Sequence, residues 1–214
     1  MNVQGQGGCL KRQLRVNDNM QEIIARTRTF RRFVEKERID SGILRDLIDL
    51  GRLGGSARNG QPWQYMIVND PEQCKKIFPF LGWAGYLSDW KGPVEGERPS
   101  AYILCILNSK WLKGPESEAQ FDLGIATQNM LLGAMEKRIG GCRIGAFNPK
   151  LAELFEMPQH LRISLVLALG KPRETVILEE SRDEEDIKYW RDEHGVHHVP
   201  KRPLTSCMIN LKMR

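Results

Sequence analysis

The chain has 214 residues, 41% of them hydrophobic and 28% charged, which is enough for one substantial domain with its own core. Its net charge of +5 is modest, and apart from Lys11, Arg12 and Arg15 the basic residues are scattered, which argues against a dedicated nucleic-acid face. No run approaches the ~20 apolar residues of a membrane span, and Cys9, Cys74, Cys105, Cys142 and Cys207 show no metal or redox spacing, the usage of a reducing, cytoplasmic compartment.

Residues 1–18 are polar and lack the apolar centre of a secretory signal, so a disordered leader is expected before a single domain over 19–214. Asn19, with Glu22 three residues on, resembles a helix N-cap, and Met20, Ile23 and Ile24 give that short helix an apolar face ending near Thr27. Asp40 and Ser41 can cap a second helix carrying Ile43, Leu44, Leu47, Ile48 and Leu50, which Gly51, Gly54 and Gly55 stop. Gln64–Val68 is a strand candidate, and Asn69-Asp70-Pro71 turns the chain into a helix from Glu72 to Phe78. Residues 79–100 hold prolines, glycines and the aromatics Trp83, Tyr86 and Trp90; they read either as a lid or as a packed surface excursion.

Ala101–Leu107 is a nearly continuous apolar strand of the kind buried on both faces. Phe121–Arg138 is apolar almost all round and predicts a helix central to the domain or to a dimer interface. Gly140-Gly141 should end it, with a strand over Cys142–Phe147, a short helix over Lys150–Phe155 and a third buried strand over Ile163–Leu169. Glu179–Asp186 is acidic and solvated, and His197 and His198 fall on a strand. Helices alternating with apolar strands imply one α/β or α+β domain.

Two constellations carry chemistry. Arg28-Thr29-Phe30-Arg31-Arg32-Phe33 sets arginines and a hydroxyl between phenylalanines. A solvated helix end is the plain reading, but the interleaved rings restrain the cations, and guanidinium forks suit phosphate. Ser56-Ala57-Arg58-Asn59-Gly60-Gln61-Pro62-Trp63 is a small-residue turn whose amides can donate and accept at once, which suits the edge of a heteroaromatic ring. Pro62 biases Gln61 toward an extended conformation. His194 and His198 are four apart without further zinc-spaced ligands, so no metal site is read. No Gly-x-Gly-x-x-Gly opens a helix, and no Gly-x-Ser-x-Gly occurs. Cys142 follows Gly140-Gly141 and reads as a structural thiol.

These residues resemble the nitroreductase family of FMN-dependent NAD(P)H oxidoreductases, whose signature is Arg-Ser-x-Arg-x-Phe followed by a small-residue Asn-x-Gln-Pro-Trp segment. Phe121-Asp122-Leu123-Gly124, Ala126-Thr127-Gln128-Asn129, Gly140-Gly141, Ile144-Gly145-Ala146-Phe147, Leu169-Gly170-Lys171-Pro172 and Val199-Pro200-Lys201-Arg202 extend the likeness over about residues 20–203. The resemblance implies an α+β fold, a mostly antiparallel central sheet flanked by helices, in an intertwined homodimer with flavin at the subunit interface. It implies that Arg28 and Thr29 bind the flavin phosphate or ribityl chain and that Arg31 approaches the pyrimidine edge of the ring. Ser56, Ala57 and Asn59, with Gln61, would come from the partner; Gly145 and Ala146 would bring a backbone N–H to the reactive nitrogen; Lys201 and Arg202 would complete the phosphate site. Thr27, Thr29 and Gly55 depart from the commoner Arg, Ser and Pro of relatives.

The implied function is two-electron transfer from NADH or NADPH through FMN to a small acceptor, a nitroaromatic, a quinone or similar, by a ping-pong cycle. No protein acid or base is nominated, because the cofactor carries the chemistry. Trp83, Tyr86 and Trp90 are the candidate substrate-facing wall. Reductive dehalogenation or flavin fragmentation on the same fold, and a non-enzymatic basic protein binding nucleic acid, are the competing classes.

Overall fold

The computed structural model describes residues 20–183 and 185–211. The leader and the Asn19 cap lie outside the described residues. Among those described, four helices and seven strands form: α1 (Met20–Arg26), α2 (Ser41–Arg52), β1 (Trp63–Val68), α3 (Pro71–Ile77), β2 (Ala101–Asn108), α4 (Glu116–Glu136), β3 (Gly140–Ile144), β4 (Leu161–Gly170), β5 (Val176–Glu180), β6 (Trp190–Arg191) and β7 (His197–Lys201).

The core is an antiparallel sheet in the order β1-β2-β4-β3. All eight residues of β2 are buried, as the unbroken apolar run required. Alternation splits its side chains between two layers. Ile103, with Leu167 and Leu169 of β4, faces Leu44 and Leu47 of α2 and Met130 and Ala134 of α4. Tyr102, Leu104 and Val166 face Cys74 and Ile77 of α3, Leu81 and Leu151. Full burial of a leucine such as Leu44 or Leu47 contributes about 1.5–3 kcal/mol.

Asp40 caps α2 by accepting from the Gly42 N–H at 2.7 Å, and Asp70 caps α3 by accepting from the Gln73 N–H at 3.0 Å. The expected Lys150–Phe155 helix forms a 3-10 stretch over Pro149–Leu154. α4 begins earlier than its apolar pattern suggested, because Pro115 opens the helix with Glu116 and Glu118 in its first turn. Phe121 and Ile125, one turn apart, stay exposed, as do Met20 and Ile24 of α1.

Gly140 and Gly141 do not end α4. The helix closes at Lys137, with Arg138 left-handed at φ 58°, and both glycines lie inside β3. They are needed for close approach: a Cβ on Gly140 would stand 2.5 Å from the Phe30 ring, and one on Gly141 2.5 Å from Leu131. Phe147 sits beyond the strand and bridges to Leu81.

The arginine segment runs extended along this edge. Thr29 bridges Gly141, Phe33 bridges Pro172, and the Phe30 N–H donates to the Gly141 carbonyl at 3.0 Å. Phe30 and Phe33 are buried beside Met135. Residues 176–201, of which only a histidine-bearing strand was expected, build a second sheet in the order β5-β7-β6, with β5 parallel and β6 antiparallel to β7.

Candidate functional site

A cavity of about 300 Å³ lies where the arginine segment, α4, β3 and the second sheet meet. Arg28, Thr29, Arg31, Gln128, Arg143 and Lys201 line it, with Leu131, Tyr189, His197 and Val199 between them. Arg28 leaves the end of α1, where its Nη2 donates to the Ile24 carbonyl at 2.6 Å. Its Nε is buried without a partner, and burial lowers its pKa. Arg143 reaches the cavity because it alternates along β3 with Cys142 and Ile144, which pack into the opposite layer. Four cations, a hydroxyl and an amide thus converge, a donor set matched to a phosphate monoester.

Arg31 is held most tightly. Its Nη1 donates to His197 Nε2 at 3.1 Å, and its guanidinium carbon lies 4.7 Å from the Tyr189 ring centroid. His197 is 1% exposed. Its pKa falls to about 4 through burial first, then through Arg31 and Arg191. The ring is therefore neutral near pH 7; because Nε2 accepts from Arg31, the proton is assigned to Nδ1. The backbone of the same segment is gripped by Glu174, whose Oε1 accepts from the Arg31 and Arg32 N–H groups while Oε2 accepts from Arg191 at 2.9 Å. Glu174, Tyr189, His197 and Arg143 were not singled out for this cavity from sequence. His197 had a weak signal as a strand residue; the others carried none, being single polar residues far along the chain from Arg31.

The amide turn lies elsewhere. Residues 56–61 fold around a 3-10 turn with positive φ at Arg58, Asn59 and Gln61, so Gln61 is left-handed rather than extended as its place before Pro62 led one to expect. Asp122 of α4 anchors it, accepting from Ser56 Oγ at 2.8 Å and the Ala57 N–H at 3.0 Å. Gln61 donates from its backbone to Ser56 Oγ and from its side chain to Asn59 Oδ1, each at 2.9 Å. A separate cavity of about 290 Å³ opens here, lined by Ser56, Gln61, Trp63, Tyr65, Trp111 and Asp122 among others. Along α4, Asp122 and Leu131 are separated by roughly 14 Å of helix rise. Within one chain, then, Arg28, Thr29, Arg31 and Lys201 share a cavity that Ser56, Ala57, Asn59 and Gln61 do not line.

Gly145 and Ala146 form an exposed loop after β3, where the Ala146 carbonyl accepts from the Gly82 N–H at 2.7 Å; they follow Arg143 without lining the cavity. Arg202 is exposed beyond β7. The three lid aromatics separate. Trp83 packs on the core and on Phe78. Tyr86 rests on Tyr189 with centroids 5.0 Å apart, and Trp90 lies 4.7 Å from the Arg191 guanidinium and 5.8 Å from that of Arg32. Cys142 is buried in the layer opposite α4 with its pKa pushed up to about 11 by burial, which makes it a structural thiol. Among the described residues no cluster of histidine, cysteine and carboxylates could hold a metal, and no helix is long and apolar enough to cross a membrane.

The nitroreductase family model matches residues 24–171. Curated relatives include proteins of Methanothermobacter thermautotrophicus and Archaeoglobus fulgidus, each 27% identical over 158 residues and named as a candidate NADH dehydrogenase/NAD(P)H nitroreductase. The match covers 72% of this chain and 77% and 85% of theirs, respectively. Among solved structures, a candidate nitroreductase in complex with FMN from Desulfovibrio desulfuricans shares the fold with a TM-score of 0.65 at 20% identity, covering 92% of this chain and 99% of that one. A nitroreductase family protein of Clostridium difficile 630 gives 0.63 at 16% identity, covering 92% and 100%. The chain belongs to the nitroreductase family.

Proposed function

We propose that this protein is an FMN-dependent oxidoreductase that takes two electrons from NADH or NADPH and passes them to a small organic acceptor of the nitroaromatic or quinone type. The observation that carries this reading is the cavity in which Arg28, Thr29, Arg31, Arg143, Gln128 and Lys201 converge in a chain of this family. The buried, partnerless Arg28 Nε is a donor awaiting an acceptor, as a phosphate oxygen would be. FMN, when bound, supplies the two-electron carrier. Arg28, Thr29, Arg143 and Lys201 would hold its phosphate and ribityl chain, Arg31 would face its ring, and Gln128 would offer both donor and acceptor. The names of the archaeal relatives support NAD(P)H as the donor, and the FMN complex of the Desulfovibrio protein supports the cofactor.

The separation of the amide turn from the cation cavity supports a homodimer in which residues 56–61 of one copy close the cofactor site of the other. Exposed Phe121 and Ile125 on α4 and Met20 and Ile24 on α1 provide apolar surface for that pairing. Donor and acceptor would use the same cavity in turn, so steady-state kinetics should show parallel double-reciprocal lines. Reconstitution tests the reading. The purified protein should take up FMN stoichiometrically, gain the visible flavin band and reduce a quinone at the expense of NAD(P)H. A protein that stays colourless with excess FMN and binds duplex DNA in a strongly salt-dependent way would overturn it.

A further inference from the structure

Arg31 is restrained from two sides by a part of the chain that follows residue 171, where the family match ends. Glu174 holds its backbone N–H, and His197 and Tyr189 hold its guanidinium. We propose that His197 is the positioning residue for Arg31, a neutral acceptor that fixes the guanidinium against the cavity so that β7 sets the charge presented to the cofactor ring. The proposal rests on the FMN reading for the identity of that ring, but the pairing itself does not.

Three observations carry it. The imidazole is fully buried, yet its Nδ1 has no partner while its Nε2 meets Arg31. Burying an unsatisfied N–H is unfavourable, and a histidine serving only to fill space would be better replaced by an apolar side chain. The residue is also held from behind: its backbone N–H donates to the Thr175 carbonyl at 2.9 Å, and Tyr189 packs against the imidazole with centroids 5.2 Å apart. Finally, the charged groups that bear on the ring are Arg31, Arg191 and His198, and all of them disfavour its protonation. A protonated ring could not accept from Arg31 and would repel it. The arrangement therefore keeps the acceptor intact across the physiological range, and only one donor of the Arg31 fork is spent on it.

Two measurements test this. In flavin-free protein, ¹⁵N NMR of the imidazoles should place the His197 proton on Nδ1, with a single neutral tautomer at pH 7 and at pH 6. An imidazolium, or the proton on Nε2, overturns the pairing whether or not flavin binds. In FMN-loaded protein, His197→Leu should lower the preference for reduced over oxidised flavin roughly tenfold, a midpoint potential about 30 mV more negative. His197→Gln, whose Oε1 restores an acceptor, should return the potential to the parent value. An unchanged potential in His197→Leu, or the same shift in both variants, refutes the positioning role. If the parent takes up no FMN, it is the functional reading that fails, and the NMR result still judges the pairing.

Discussion

Glu174 should be the most sensitive single position outside the hydrophobic core. Its carboxylate is 2% exposed and accepts from two consecutive backbone N–H groups, Arg31 and Arg32, and from Arg191, whose side chain is 12% exposed. Glu174→Ala strands all three donors. Removing one partner of a buried ion pair costs about 3–5 kcal/mol, chiefly from the charge left unpaired. For a domain of this size each kcal/mol lowers Tm by about 2–4 °C, so a fall of roughly 6–20 °C is expected. Glu174→Gln keeps one oxygen for the backbone donors but turns an amide N–H₂ toward Arg191, so it should fall between the parent and Glu174→Ala. Circular dichroism melts of flavin-free protein read this without any assumption about function. Release of the Arg31 backbone should also weaken FMN binding by at least about tenfold, equal to ~1.4 kcal/mol. A Glu174→Ala protein that melts within about 1 °C of the parent would show that the carboxylate contributes nothing net, and the account of the second sheet as a clamp on the arginine segment would fall with it.

Three further outcomes are expected. The adjacent histidines titrate in opposite senses. His197, lowered to about 4, is refused a proton that the unfolded chain accepts near 6.5, so stability should fall as pH drops through that window; His198, raised by Glu179 first and then by Asp192, should lose its contribution as pH rises through its folded value. A stability maximum near pH 6.5 results, with His197→Gln flattening the acid limb and His198→Gln the alkaline limb of a Tm–pH profile; identical limbs in both variants contradict it. Tyr86→Ala removes the ring resting on Tyr189 at the cavity rim, so KM for aromatic acceptors should rise several-fold with FMN affinity unchanged, and unaltered KM values across acceptors exclude Tyr86 from the substrate wall. Phe121→Asp places a charge on the exposed face of α4. If copies pair there, burial of one Phe side chain per protomer is worth about 1.5–3 kcal/mol each, so sedimentation should show a dimer weakened by at least about a hundredfold; an unchanged dimer refutes that face as the interface.

The framework was legible because its signals are local. The apolar run of β2, the mostly apolar run of β4 and the apolar pattern of α4 declare buried elements wherever they sit, and the arginine and amide motifs are compact enough to be seen whole. Gly140-Gly141 misled because two glycines after a helical pattern imitate a stop. The real constraint was the approach of Phe30, distant in sequence, and of Leu131 on the preceding helix itself, and the real stop was a left-handed Arg138. Glu174 and Tyr189 were invisible for the same reason. A lone carboxylate after a strand is ordinary until the fold lays the Arg31 backbone across it, and no periodicity records a partner 143 residues away. His197 could be placed on a strand, but its task depends on which guanidinium meets its Nε2.

That non-local clamp bears on how the site divides its labour. Along α4, the Asp122 end carries the amide turn and the Gln128–Leu131 end carries the cations, with Phe121 and Ile125 exposed on the helix surface. A single helix cannot bring its two ends to one ligand, but two copies apposed across that apolar surface in antiparallel register can, since each then lays its Asp122 end beside the other's Gln128 end. Arg31 has no such latitude. Its backbone and guanidinium are fixed within one chain by Glu174, Tyr189 and His197, so the charge at the cavity is set within that chain, and in the proposed dimer pairing would need only to supply the amide wall. On this argument the isolated chain already carries a charged cradle able to attract a phosphate, and the proposed dimerisation would add the enclosure that retains a ring.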